Sequence, residues 1–191
     1  MFIESKRSEI YTVAPHNNLD QLPESLKPEK VAEKSNQDTL VFFGQNSHFS
    51  NFHAAKFTVD NRQYSCSEQY IQSQKASLFN DDVAEHRIMS TGSPYQMKKI
   101  GGTVRNFEFK KWSEEAPKIA KKCLMAKFSQ NSHLKQRLIN TGDRNLAEAT
   151  KEKLWGCGVG LFEDGCLDSS RWRSRGIMGD ILISIRDALR S

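Results

Sequence analysis

Residues 177–190 read IMGDILISIRDALR, and no other stretch constrains the fold as tightly. Ile177, Ile181, Ile185 and Leu189 recur every four residues, with Met178 and Leu182 beside them. That spacing lines apolar side chains along one side of a helix. A helix of this kind is marginal alone in water, so it predicts other elements to cover its apolar side. Arg186 and Arg190 fall in its last turns, where cations suit the negative end of the helix dipole.

Helical patterning also runs through the middle of the chain. Ser67 to Phe79 holds good helix formers and no Gly or Pro. Asp81 and Asp82 can cap a short helix through Met89, and another spans Tyr95 to Ile100 before Gly101 and Gly102. Pro117 in its first turn opens a longer helix carrying Ile119, Cys123, Leu124, Ala126 and Phe128; His133 to Ile139 is a further one. Strand signals are confined to the start. Leu40 to Phe43 is a short apolar run ending at Gly44, and Phe57 to Tyr64 reads as a hairpin turning at Asp60 and Asn61. The expected fold is mainly α with a small antiparallel sheet or hairpin, in a single compact domain over residues 38–191. Residues 1–37, interrupted by Pro15, Pro23 and Pro28, form an N-terminal extension with short helical pieces near Glu29 to Lys34.

Composition narrows the function classes. The chain has 191 residues, 37% of them hydrophobic, enough for one core. No apolar run approaches the ~20 residues of a membrane-spanning helix, and the first residues lack the apolar stretch of a secretory signal. The four cysteines make no C-x-x-C pair and read as reduced thiols. An intracellular, cytoplasmic protein without metal or cofactor is expected. Net charge is +5, and the first 38 residues hold five bases against seven acids, so the positive excess lies in the body. A basic body suits an anionic partner, although on charge alone solubility is the preferred explanation. A nucleic-acid-binding module rests on that charge only.

Two segments carry candidate chemistry. Glu68, Gln72 and Lys75 share one helix face, a polar stripe able to grip a ligand. Against this, Ser65-x-x-Glu68 matches a capping box, in which Glu68 merely satisfies a backbone N–H. Further on, Glu148 and Glu152 precede Trp155, Gly156 and Gly158. Glycine lets backbone approach a ligand closely, and tryptophan stacks on bases or sugars. The alternative is a solvated helix followed by a core Trp and a tight turn.

Taken in order, these segments resemble a family. Phe42-Phe43, Ser50-Asn51-Phe52, Ser67-Glu68-Gln69-Tyr70 with Gln72 and Lys75-Ala76, Lys127-Phe128, Thr141-Gly142, Leu146-x-Glu148 and Trp155-Gly156-x-Gly158 follow the pattern of the YbiA-like, or NADAR, proteins. Gly179, Leu182 and Arg186 match their closing helix, so the likeness covers about residues 40–190. The resemblance implies a mainly helical fold and N-glycosidase activity. Its substrates would be phosphorylated riboflavin-pathway intermediates, such as a ribosylaminopyrimidine phosphate, or ADP-ribosylated guanine bases. Expected partners are a phosphorylated nucleoside or ADP-ribose ligand and ADP-ribosylated nucleic acid. The other reading is a non-catalytic ADP-ribose or nucleotide-binding module.

Carried onto this chain, the resemblance makes Glu68, Lys75 and Glu152 the catalytic candidates. Asn51, Phe52, Gln72, Trp112, Lys127, Thr141, Gly142, Glu148, Trp155, Gly156 and Gly158 are the substrate-binding ones. Two positions depart from the family. Glu152 stands where an Asp is usual, and an Asn before the last helix is replaced near Gly176. A misplacement of ~1 Å can cost ~10²-fold in rate, so altered specificity is a consequence to test.

Overall fold

Turn chemistry explains the hairpin. In the computed structural model, which describes residues 31–174 and 176–190, Phe57–Val59 (β3) pairs antiparallel with Arg62–Tyr64 (β4). Asp60 and Asn61 between them have φ of 50° and 62°, the left-handed pair of a two-residue turn. Thr39–Phe42 (β2) is buried along its whole length. It pairs antiparallel with Glu33–Ser35 (β1) and parallel with Asn145–Glu148 (β5).

Two expectations change here. Glu33–Ser35 is strand rather than helix, and the compact unit runs from Ala32, so a boundary at 37/38 would cut the sheet. The rest of the extension lies outside the described residues. The sheet also has one parallel pair, because β5 follows β2 only after five helices, the long crossover that parallel pairing needs.

Those helices are Ser67–Leu78 (α1), Asp82–Ser90 (α2), Pro94–Gly101 (α3), Phe109–Gln130 (α4) and Ser132–Ile139 (α5). Asp81 caps α2 by accepting from the Ala84 N–H at 3.2 Å, and Ser93 accepts from Gln96 at the start of α3, with Pro94 next to it. The helix expected to open at Pro117 begins at Phe109 instead, with Pro117 inside it. Packing of Trp112, Ala116 and Ala120 against the core outweighs the hydrogen bond that proline removes. α1 packs against α2, α3 and α4. Ile177–Arg190 (α6) lies on β5, α4 and α5.

The apolar stripe of α6 is turned slightly from the expected one. Met178, Leu182 and Ile185 are fully buried, while Ile177 and Leu189 lie at its edges. The helix approaches β5 closely at Gly179, where a Cβ would sit 1.8 Å from the Leu146 carbonyl oxygen, so only glycine fits. Arg186 is buried rather than solvated. Its guanidinium donates to Thr141 Oγ1 at 3.1 Å and to the Arg144 carbonyl at 2.8 Å. All four cysteines are free and buried. Among the described residues no helix is long and apolar enough to cross a membrane.

Candidate active site

β2 and β5 both end at one cavity of about 230 Å³. Glu148 closes β5 there, while Phe43 and Gly44 continue from β2. Across from the strands stand Ser50, Asn51 and Phe52, Glu68 on the first turn of α1, and Tyr95 and Lys98 on α3. Thr150, Glu152 and Trp155 complete the wall after β5.

The start of α1 is not built as a capping box on Glu68. Gln69 takes that place, its Oε1 accepting from the Ser65 N–H at 2.8 Å and from Ser65 Oγ at 3.0 Å. The Glu68 N–H donates to the Asn51 carbonyl at 2.9 Å. Its carboxyl is thereby free of helix capping, buried, and bonded by Gln72 Nε2 at 2.8 Å. Burial pushes the Glu68 carboxyl up to about 7, against the pull of the Gln72 hydrogen bond and of Lys98 and Lys75. Burial also raises Glu148 to about 7, reinforced by the charge of Glu68 and opposed by Lys98. The cavity therefore holds two neighbouring carboxyls that titrate near neutrality. Neighbouring carboxyls ionise as a pair, the first charge resisting the second.

Glu152 lines the same cavity, but its oxygens are engaged with its own turn. Oε2 accepts from the Trp155 N–H at 2.8 Å and Oε1 from the Leu154 N–H at 3.3 Å. Trp155 is half-buried, with Trp112 behind it at 6.4 Å between ring centroids. The structure places Trp112 in the core and not on the cavity wall. Lys75 also stands behind the wall, donating to the Gly101 carbonyl at 2.8 Å, with its ammonium 4.2 Å from the Phe107 ring centroid. Burial lowers its pKa, and Glu68 opposes the shift. Lys127 is fully buried and donates to the Ser50 carbonyl at 2.8 Å, anchoring the loop that carries Asn51 and Phe52. Burial pulls Lys127 down to about 7.

Two acceptors lack donors among the described residues: Asn51 Oδ1, on the cavity wall, and Gln72 Oε1, which packs against Gly101 outside the lining. Buried polar atoms without partners are uncommon, and in a cavity they mark where a ligand or water bonds. Gly156 holds the Trp155 loop against the sheet, since a Cβ there would lie 2.8 Å from the Glu148 carbonyl oxygen. Gly158 lies farther along, beside Arg173. Thr141 and Gly142 are not at the cavity. They join α5 to β5 and are held by Arg186 and Arg190 of α6.

The profile of the NADAR domain family matches residues 41–190. The chain belongs to that family. It is 32% identical over 126 residues to N-glycosidase R617 of Acanthamoeba polyphaga mimivirus, covering 65% of this chain and 74% of the relative. It is 29% identical over 177 residues to protein irg-1 of Caenorhabditis elegans, covering 83% of each. N-glycosidase YbiA of Escherichia coli strain K12 is 28% identical over 158 residues, 80% of this chain and 90% of its own. The NMR structure of E. coli YbiA superposes with a TM-score of 0.65 at 25% identity, covering 84% of this chain and 90% of that one. The mostly helical YbiA-like fold with small sheets is thus shared.

Within this NADAR domain the cavity gathers Glu68, Glu148, Glu152, Asn51, Phe52 and Trp155 from the expected set. Gln72 and Lys127 support it through hydrogen bonds. Sequence reasoning missed Tyr95 and Lys98 as wall residues. Their signal is the Ser93 cap and Pro94, which place both in the first turns of α3, but nothing local says that α3 faces Phe52. Gly176 has φ of 61° and a Cβ would lie 2.5 Å from the Gly156 carbonyl oxygen, so no side chain fits beside the Trp155 loop.

Proposed function

We propose that this NADAR protein is an N-glycosidase that hydrolyses the bond between a base and ribose in a phosphorylated nucleoside-like substrate. The observation that carries this reading is the pair Glu68 and Glu148 in one cavity, both titrating near neutrality. Breaking such a bond develops positive charge on C1′ and negative charge on the leaving base. A pair that shares a proton around pH 7 supplies both needs. The ionised carboxylate stabilises the ribosyl cation and takes a proton from the attacking water. The protonated partner gives its proton to the departing nitrogen. Gln72 and Lys75 favour the anion on Glu68, whereas Glu152 opposes it on Glu148, which makes Glu148 the donor. Asn51 Oδ1 offers an acceptor to a ribose hydroxyl, and Trp155, Phe52 and Tyr95 offer aromatic faces to the base.

Support for the reaction class comes from R617 and YbiA, both named N-glycosidases. The candidate substrates are a riboflavin-pathway ribosylaminopyrimidine phosphate and an ADP-ribosylated guanine base. The deciding experiment incubates the protein with ribosylaminopyrimidine phosphate, ADP-ribosylated guanosine, ADP-ribosylated DNA and NAD, and measures released base. Release from one of them is expected. One observation favours a second reading, a nucleotide-binding module without turnover. Glu152, where the family usually has Asp, is tied to backbone N–H groups. Tight binding of ADP-ribose with no base released from any substrate would establish that reading instead.

A further inference from the structure

Lys98 is the one cation on the cavity wall among the described residues. It is exposed and makes no hydrogen bond or close ion pair among those residues, although its charge acts at longer range on Glu68 and Glu148. The ammonium lies over Phe52, with Nζ 5.7 Å from the ring centroid, and Phe52 in turn meets Tyr95 edge-on at 4.9 Å. The other nearby cations are committed elsewhere. Lys75 donates to the Gly101 carbonyl, Lys127 to the Ser50 carbonyl, and Lys151 pairs with Glu163 at 3.1 Å.

Charge then fixes how an anionic substrate enters. Glu68, Glu148 and Glu152 occupy the strand side of the cavity and the start of α1, and they repel a phosphate placed among them. The ribose must nevertheless reach those carboxyls. Both demands are met only if the sugar points inward and the phosphate lies toward α3, against the free ammonium. We infer that Lys98 recognises the substrate phosphate and selects phosphorylated nucleosides over unphosphorylated ones. The assignment rests on the hydrolase reading for the substrate class, but phosphate binding itself does not require turnover.

Calorimetric titration with ribose 5-phosphate and with ribose tests it on the wild type and on Lys98→Ala and Lys98→Arg. The wild type should prefer ribose 5-phosphate by roughly 10-fold or more, the scale of one charge-assisted hydrogen bond. Lys98→Ala should bring the two affinities together by weakening ribose 5-phosphate alone, and Lys98→Arg should keep the preference. Since Lys98 is exposed and makes no hydrogen bond among the described residues, both variants should remain cooperatively folded. A wild type that does not favour ribose 5-phosphate, a preference that survives Lys98→Ala, or equal weakening of both ligands would overturn the assignment. Base release from phosphorylated and dephosphorylated nucleosides is measured beside it. Preference in binding with no release keeps Lys98 and removes the hydrolase. Release without preference does the reverse.

Discussion

At the scale of single residues, Glu68 decides most. Glu68→Gln keeps the shape and the contact with Gln72 but removes the charge, so turnover should fall ~10²-fold or more. Glu148→Gln should fall comparably, and a normal rate in both variants would remove the two-carboxyl mechanism. Trp155 gives a second test. It is half-buried on the cavity wall, so Trp155→Ala should weaken nucleotide binding by ~1–3 kcal/mol, as loss of base stacking does. A purely structural Trp would instead cost ~3–5 kcal/mol of stability with unchanged affinity. Thermal unfolding and titration of one preparation separate the two. Glu68 was legible as a candidate because its helix face is polar. Its freedom from capping was not, because Ser65 can close on either Glu68 or Gln69 and only the folded turn chooses Gln69.

Elements were legible in proportion to their length and to the locality of their contacts. α6, α1 and the β3–β4 hairpin announce themselves through period and turn residues. β5 does not. It has four residues inside a polar stretch, and only its pairing with β2, a hundred positions away, makes it a strand. β1 is hidden for the same reason, yet it matters to the site. The Phe43 N–H donates to the Ala32 carbonyl at 2.8 Å, and Glu33 accepts from Ser47 Oγ at 2.9 Å. A protein beginning at Gln37 should therefore lose stability and bind ligand more weakly than one beginning at Ala32, by differential scanning calorimetry and titration. Equal melting temperatures would show that β1 contributes nothing. The Arg186 contacts predict a larger cost. Arg186→Ala leaves Thr141 and the Arg144 carbonyl without their donor and should destabilise by ~2–4 kcal/mol in denaturant unfolding.

For the whole molecule, three groups buried around the site contribute to the dependence of stability on pH. Glu68 and Glu148 have folded values near 7, raised above the unfolded ones, so their stability is full below about 4.5 and is lost as pH rises through 7. Lys127 is lowered to about 7, so its stability is full above about 10.5 and is lost as pH falls toward 7. Both losses overlap at neutrality, where these groups oppose folding most. The melting temperature of Glu68→Gln should thus gain on the wild type as pH is raised from 5 to 8. A constant difference across that range would mean that Glu68 titrates normally in the folded state.

The parallel pairing of β2 with β5, locked by Gly179 of α6, also orders events during synthesis. Glu68 leaves the ribosome early, eighty residues ahead of Glu148, and Asn51 waits longer still for Met178, to which it donates at 3.4 Å. A nascent chain thus carries half of the cavity wall, with β5 and the faces of α4 and α5 that α6 packs on uncovered, until residues 177–190 emerge. Translation that stalls in the last helix would leave a sticky chain with an incomplete cavity, and a fragment ending before Ile177 would need residues 177–190 supplied in trans to complete it.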